Sequence, residues 1–366
     1  MPVGTCRTSH VDPERGVTYV GYPIDQLAYL APEAIIFLLF NKTLPSEGQL
    51  SAFRDDLQRR SEIDPYVFEV LRGLPKQGHP MEWLSVGIHL LGMTGRTNNY
   101  TEDAYNLIAR VPHLLAAIFR LREGWGALIP PDPSLGYIEN FVRMLGMPGS
   151  DPVKITKMLR VFYVLHMDHG GGNLSTFTGK AVASGLADLY TSLASAMDAL
   201  SGPRHGRANQ DCLEFVREVN TSDEQEVDRW VRRRIADGGL IFGFGHAVLR
   251  KEDPRVRVEL AVGEEVCPDN PEFRIVKTLR KVVPPILQEN PKIADPYPNV
   301  DLVSGSLLNA VGFHEPDYYT TFFGLARVAG ISAQIVDERL KFRNGKGVPI
   351  YRPESVPVEQ PSRSLE

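Results

Sequence analysis

Histidine, aspartate and arginine concentrate beside glycines in four stretches: HMDHGGGNLS (166–175), LSGPRHGRANQ (200–210), GFGHAVLRKEDPR (243–255) and YPNVDLVSG (297–305). Arginine grips a carboxylate with two parallel hydrogen bonds and stays charged at any working pH. Histidine and aspartate move protons near neutrality. Lone histidines on glycine-rich turns, one aspartate on a Pro/Asn turn and arginines at separate helix ends describe a site for a small polyanion. Proton abstraction beside a carbonyl suits this kit, provided a donor meets the oxygen of the developing enolate.

Simpler chemistries fail on spacing. His166 and His169 flank Asp168 at a separation that could hold zinc, but no HExxH and no further ligand set accompany them, so no metal is expected. A pair of hydrogen-bonded histidines at a helix end is the plainer account of that pattern. GGGN lacks the Gly-Lys-Ser/Thr ending of a phosphate loop, and Val248 stands where GFGH would need the third glycine of a dinucleotide fingerprint.

Helices must position these groups. Apolar residues Val182, Leu186, Leu189, Leu193, Met197 and Leu200 recur at spacings of three and four, which predicts one amphipathic helix over 181–200. Ser46 followed by Gln49 opens another helix as a capping box, and Ser222 with Gln225 repeats the signature before a segment ended by Gly238 and Gly239. A further helical pattern runs through Tyr318, Phe322, Leu325, Ala329, Ser332 and Val336. Strand signals are confined to 17–22 and 348–351, so an all-α fold with minor β elements is expected. The Pro-, Ser- and Glu-rich tail 353–366 reads as an extended arm or a partly disordered one.

A length of 366 residues suits two domains or one large composite domain. With 43% apolar and 23% charged residues the chain falls in the ordinary globular range. It contains no apolar run of about 18 residues or more, so no membrane span is expected, and no signal peptide is visible. Cys6, Cys212 and Cys267 lie too far apart for a disulfide framework, which makes the cytoplasm the default location. The net charge of −5 argues against nucleic acid as a partner. A local basic run, Arg274, Lys277, Arg280 and Lys281, has the spacing of a helix face and is equally well read as solvated.

The four segments, in this order and at these separations, resemble citrate synthases. The likeness extends through PERGVTYVGYPIDQLA near the start, LPKQGHPMEWLS at 74–85, and YYTTFFGLARVAGISAQ and YRPES near the end. It implies a transferase that condenses acetyl-CoA with oxaloacetate and hydrolyses citryl-CoA to citrate and CoA. In the resemblance Asp301 is the base that removes a methyl proton, and His205 hydrogen-bonds the thioester oxygen. His246 polarises the ketone and protonates the new alkoxide, while Ser175 holds His205 in place. His169, Arg255, Arg327 and Arg352 match the carboxylate-binding residues, Arg352 from the partner subunit of a homodimer. For CoA, which is a substrate rather than a tightly bound cofactor, Arg250 matches a phosphate contact. The loop containing Leu240, Gly243 and Gly245 resembles the one that recognises adenine.

His205 precedes a helix start expected near Asn209, whose partial positive charge disfavours imidazolium, so a neutral donor is expected there. The resemblance also implies a large helical domain (1–205 and 313–366) and a small one (206–312) that closes over oxaloacetate. The extra N-terminal domain of long, NADH-inhibited bacterial relatives has no counterpart, so NADH regulation is not expected. Two departures stand out: Gly170 where many relatives carry Glu, and Leu302-Val303 after Asp301. Both touch the expected substrate pocket. A 2-methylcitrate synthase using propionyl-CoA therefore stays open, as does a silent homologue serving as a binding module.

Overall fold

A computed structural model describes residues 4–352. Its one sheet lies at the start: β1 (Ser9–Asp12), β2 (Gly16–Tyr19) and β3 (Tyr22–Pro23), antiparallel in the order β1-β2-β3, with Ser9 opposite Tyr19. Val20 and Gly21 both take positive φ (49° and 88°), the twist a two-residue hairpin turn needs. The strand signal at 17–22 is thus two strands and their turn.

The strand expected at 348–351 does not form. Pro349 has no N–H to give a ladder, and Tyr351 spends its own N–H on Ser184 Oγ at 3.0 Å.

The rest is helical. The first half holds α1 (Ile24–Leu27), α2 (Pro32–Asn41), α3 (Glu47–Arg60), α4 (Pro65–Arg72), α5 (Pro80–Gly95) and α6 (Tyr100–Glu123). Then come α7 (Tyr137–Leu145), α8 (Pro152–His166), α9 (Leu174–Ser184) and α10 (Leu189–Leu200). After these follow α11 (Ala208–Val219), α12 (Glu224–Ala236), α13 (Pro254–Val266) and α14 (Pro271–Gln288). The last are α15 (Asp301–Ala310) and α16 (Tyr319–Lys341).

Caps set many of these ends. The Ser46–Gln49 box opens α3 in both directions as the sequence predicts. At α12 the cap is Asp223 rather than Ser222, because its carboxylate accepts from both Gln225 and Glu226 N–H groups. The helix expected over 181–200 is interrupted. Gly185 closes α9, Leu186 takes φ 70° and stays exposed, and Asp188 caps α10 by accepting from Thr191 N–H. The two helices pack on each other, and the predicted apolar face is broken at Leu186, which points to solvent.

Every residue of α16 from Tyr319 to Glu338 is buried, so this helix forms the axis on which α2, α5, α6, α8, α9 and α10 pack. Helices α11, α12, α14 and α15 pack largely on one another, and α13 joins that group to α8. Close approach requires glycine at one point above all. A Cβ on Gly330 would lie 2.1 Å from the Met167 carbonyl oxygen, so α16 can touch the turn after α8 only with no side chain there. No helix among the described residues is long and apolar enough to cross a membrane.

Candidate active site

The turn after α8 carries His169. Tyr19 of β2 pins it, donating from its hydroxyl to Val164 O (3.1 Å) and Asp168 O (2.9 Å) and accepting from Asp168 N–H at 3.0 Å. The Asp168 carboxylate then accepts from His169 N–H at 2.8 Å. Asn173 follows, and its side-chain oxygen accepts from Thr176 N–H (3.2 Å) and Arg327 (2.9 Å) and lies 3.0 Å from Ser175 Oγ. Its amide nitrogen donates to His169 O at 3.3 Å and Gly170 O at 3.1 Å. One N-cap residue thus fixes a histidine turn, a serine and an arginine together.

Ser175 holds His205 as the resemblance implies: its backbone N–H donates to Nε2 at 3.0 Å, with Oγ 2.9 Å from the same nitrogen. A nitrogen that accepts a backbone N–H carries no proton, so the bonding assigns the single imidazole proton to Nδ1. Burial and, less strongly, the Arg327 charge push the His205 pKa down to about 4, so the ring is neutral at neutral pH. Helix α11 does begin just beyond it, at Ala208, yet burial leads the shift.

His246 is oriented the opposite way. Its Nδ1 accepts from Val248 and Leu249 N–H, each at 3.0 Å, which leaves the proton on Nε2, 3.2 Å from His169 Nε2. Burial and then the Arg255 charge hold both histidines below the ordinary imidazole pKa.

Asp301 is the first residue of α15, with its N–H given to Asn299 Oδ1 at 3.0 Å. Burial raises its pKa to about 6, against the lowering effect of Arg255 and with some help from Asp253. Two loops carry His246 and Asp301, and the backbone fastens them. Gly245 N–H donates to Tyr297 O (2.9 Å), Asn299 N–H to Gly243 O (2.9 Å), and Asn299 Nδ2 to Gly245 O (2.8 Å).

These residues line a single cavity of about 180 Å³ that takes in His169, Asn173, His205, His246, Arg255, Asn299, Asp301 and Arg327. Arg255 is buried and held by Asp253 in a two-pronged pair at 2.7–3.1 Å. Arg327 is buried too, but its partners are neutral: His166 O at 3.1 Å and Asn173 Oδ1 at 2.9 Å. A buried guanidinium whose hydrogen bonds go to neutral oxygens is prepared for an incoming anion.

The remaining expected residues lie outside the cavity. Arg352 is exposed at the end of the described residues and does not line the cavity of its own chain. Arg250 is exposed, and its guanidinium rests on the carbonyls of Leu249 (2.7 Å) and His246 (3.2 Å). Leu240 is exposed, while Gly243 and Gly245 take φ of 79° and 83° in the loop tie just described. The basic run is neutralised: Arg274 pairs with Asp269, Lys277 with Glu264, Arg280 with Glu252 and Lys281 with Glu224.

Three positioning residues escaped the sequence reading: Asn173, Asn299 and Asp253. Only Asn173 carried a signal, as an N-cap type between a histidine turn and a helix. Among the described residues no group of three or more His, Cys, Asp or Glu is arranged to hold a metal.

A family model described as citrate synthase, C-terminal domain, matches residues 1–354. The chain belongs to the citrate synthase family. A mitochondrial citrate synthase from Citrus maxima is 36% identical over 96% of this chain and 79% of its own length. A mitochondrial 2-methylcitrate synthase from Yarrowia lipolytica is 33% identical over 96% of the chain and 81% of its own. Among solved structures, the citrate synthase from Thermotoga maritima MSB8 superposes with a TM-score of 0.85 at 28% identity, covering 100% of this chain and 96% of that one. The family assigns an enzyme of the transferase kind with the all-α citrate synthase fold.

Proposed function

We propose that this citrate synthase family member joins acetyl-CoA to oxaloacetate through an enol(ate) and hydrolyses the resulting citryl-CoA to citrate and CoA. The observation that carries the reading is the convergence of Asp301, His205 and His246 on one cavity that also contains Arg255 and Arg327. In this account the Asp301 carboxylate takes a methyl proton of acetyl-CoA. The electron pair moves onto the thioester oxygen, which receives a hydrogen bond from His205 Nδ1–H. The nucleophilic methyl carbon attacks the ketone of oxaloacetate, polarised by His246 Nε2–H, and the ketone oxygen takes up that proton and stays on its carbon as the tertiary hydroxyl of citryl-CoA. Water then cleaves the thioester and releases the thiol.

A thioester α-proton is too weakly acidic for a carboxylate acting alone, and a preorganised donor at the developing oxyanion is worth about 3 to 4 kcal/mol. Both imidazoles suit that role because each is neutral with a single N–H whose other nitrogen is already bonded. His169, Arg255 and Arg327 bind the carboxylates, and Arg352 enters from the partner subunit of a homodimer. Arg250 and the loop of Leu240, Gly243 and Gly245 meet CoA when the small domain, 206–312, closes after oxaloacetate binds. That order protects the thioester from premature hydrolysis.

A second reading, condensation of propionyl-CoA, is supported by the Yarrowia 2-methylcitrate synthase likeness. One methylene changes pocket preference by only about 1 to 3 kcal/mol. Release of free CoA thiol with acetyl-CoA and with propionyl-CoA, each with oxaloacetate, tests both readings, with Asp301→Asn as the blank. Faster release with acetyl-CoA supports the first reading and faster release with propionyl-CoA the second. No release with any acyl-CoA and ketoacid would point to a silent binding homologue.

A further inference from the structure

Behind the cavity lies a buried ion pair that the chemistry does not use. Lys180 of α9 and Glu338 of α16 are each 3% exposed, with Nζ 2.9 Å from Oε1. Lys180 Nζ also donates to Thr5 O at 2.9 Å and to Gln334 Oε1 at 3.1 Å, so its three protons meet three acceptors. Gln334 then has its amide orientation decided. With Oε1 held by the ammonium, Nε2 must face the other way, where it donates to Asp168 Oδ1 at 2.7 Å and Gly170 O at 3.2 Å. The same Asp168 oxygen accepts the N–H of His169 at 2.8 Å. On the far side, Glu338 Oε1 accepts from the Tyr351 hydroxyl at 3.2 Å and from Thr5 N–H at 3.3 Å. The next residue in the chain is Arg352.

Hydrogen bonds therefore run unbroken from His169 to the residue that carries Arg352. Desolvating a lysine and a glutamate is expensive, and apolar residues of the same volume would often serve stability as well. We infer that Lys180 is a positioning residue for substrate binding at two sites. Through Gln334 and Asp168 it fixes His169 in its own subunit. Through Glu338 and Tyr351 it fixes the segment that delivers Arg352 to the partner. This rests on the proposed role of Arg352 and on oxaloacetate as the ligand. If the ammonium were lost, the Gln334 amide could flip, turning its oxygen toward the Asp168 carboxylate and loosening the His169 turn.

The test uses the full-length enzyme with Tyr351→Phe, Gln334→Met and the double variant, plus Lys180→Arg as the conservative change. The readouts are oxaloacetate affinity by calorimetry, the KM for each substrate, and Tm. Each single change is expected to weaken oxaloacetate binding by roughly 3- to 30-fold while the acetyl-CoA KM moves by less than about 2-fold. The double variant should fall short of the product of the singles, since both act through one ammonium, and Lys180→Arg should retain most of the affinity. Unchanged oxaloacetate affinity in Tyr351→Phe, or strictly multiplicative effects, overturns the inference. If Gln334→Met proves unstable, Tyr351→Phe decides alone, because its ring is only half-buried and packing survives the loss of a hydroxyl. A wild-type enzyme that does not bind oxaloacetate would instead remove the functional reading itself, a result readily told apart from variants that match an active wild type.

Discussion

Burial raises the Asp301 carboxyl from 3.8 to about 6, and a base must be ionised to act. The rate with saturating oxaloacetate should therefore fall as pH drops through about 6 and level off above it, with no contribution from His205, which titrates near 4. The same shift weakens the fold. A carboxyl whose pKa rises on folding gives its full stabilisation below the unfolded value and loses it as pH climbs through the folded one. Asp301→Asn should thus gain stability over wild type, on the order of 2 kcal/mol, at pH 8 and not at pH 4, while losing activity, as paired denaturation curves and rates would show. His205→Ala removes the oxyanion donor and should lower kcat by roughly 10²- to 10³-fold with the fold intact by circular dichroism. At this scale Asp301, His205, His246, His169 and Arg255 stand in polar, glycine-rich stretches whose residue types point to proton transfer and anion binding, while their roles, and Arg327 altogether, came only through the family resemblance. Asn299 was illegible, and Asn173 showed only its N-cap type. One bond of each reaches a distant group, Arg327 for Asn173 and the Gly245 carbonyl for Asn299, and no local pattern encodes those partners.

Among the elements, α16 is the one whose placement decides the site, since Arg327 and Gln334 both project from it. Gly330→Ala would drive a methyl into the Met167 carbonyl. Overpacking of this kind costs about 1 to 3 kcal/mol, and here the strain falls on the turn bearing His169. A lowered Tm together with weakened oxaloacetate binding is expected; a lowered Tm with unchanged binding would show that the turn absorbs the shift. The period and capping box of single helices were readable, as at Ser46 and along 319–341. The interruption at Gly185 was not, because Leu186 falls on the apolar spacing although it sits exposed in the turn between α9 and α10. The strand expected at 348–351 failed because the neighbours it meets are helices that take its N–H and hydroxyl groups.

For the whole molecule, the proposed homodimer places Arg352 of one subunit at the other's cavity. Exposed apolar residues fit a covered face: Val86 and Met93 two turns apart on α5, and Leu174 and Phe177 on α9. Arg352→Ala and Asp301→Asn should each be nearly inactive as pure dimers. Mixed and re-associated in equal amounts, they should recover roughly a quarter of wild-type activity, since half the dimers are hybrid and each hybrid has one intact site. Mixtures no more active than the parents would place Arg352 in its own subunit's site or in none. The central claim, that Asp301 draws a proton from an acyl methyl so that its carbon can bond to a ketone, is tested most directly by carbon-13 NMR. Methyl-labelled acetyl-CoA and oxaloacetate, incubated with the enzyme, should yield citrate labelled at one methylene carbon together with free CoA, and Asp301→Asn should yield almost none. Labelled free acetate in place of citrate, or citrate formed equally well by Asp301→Asn, would contradict the account.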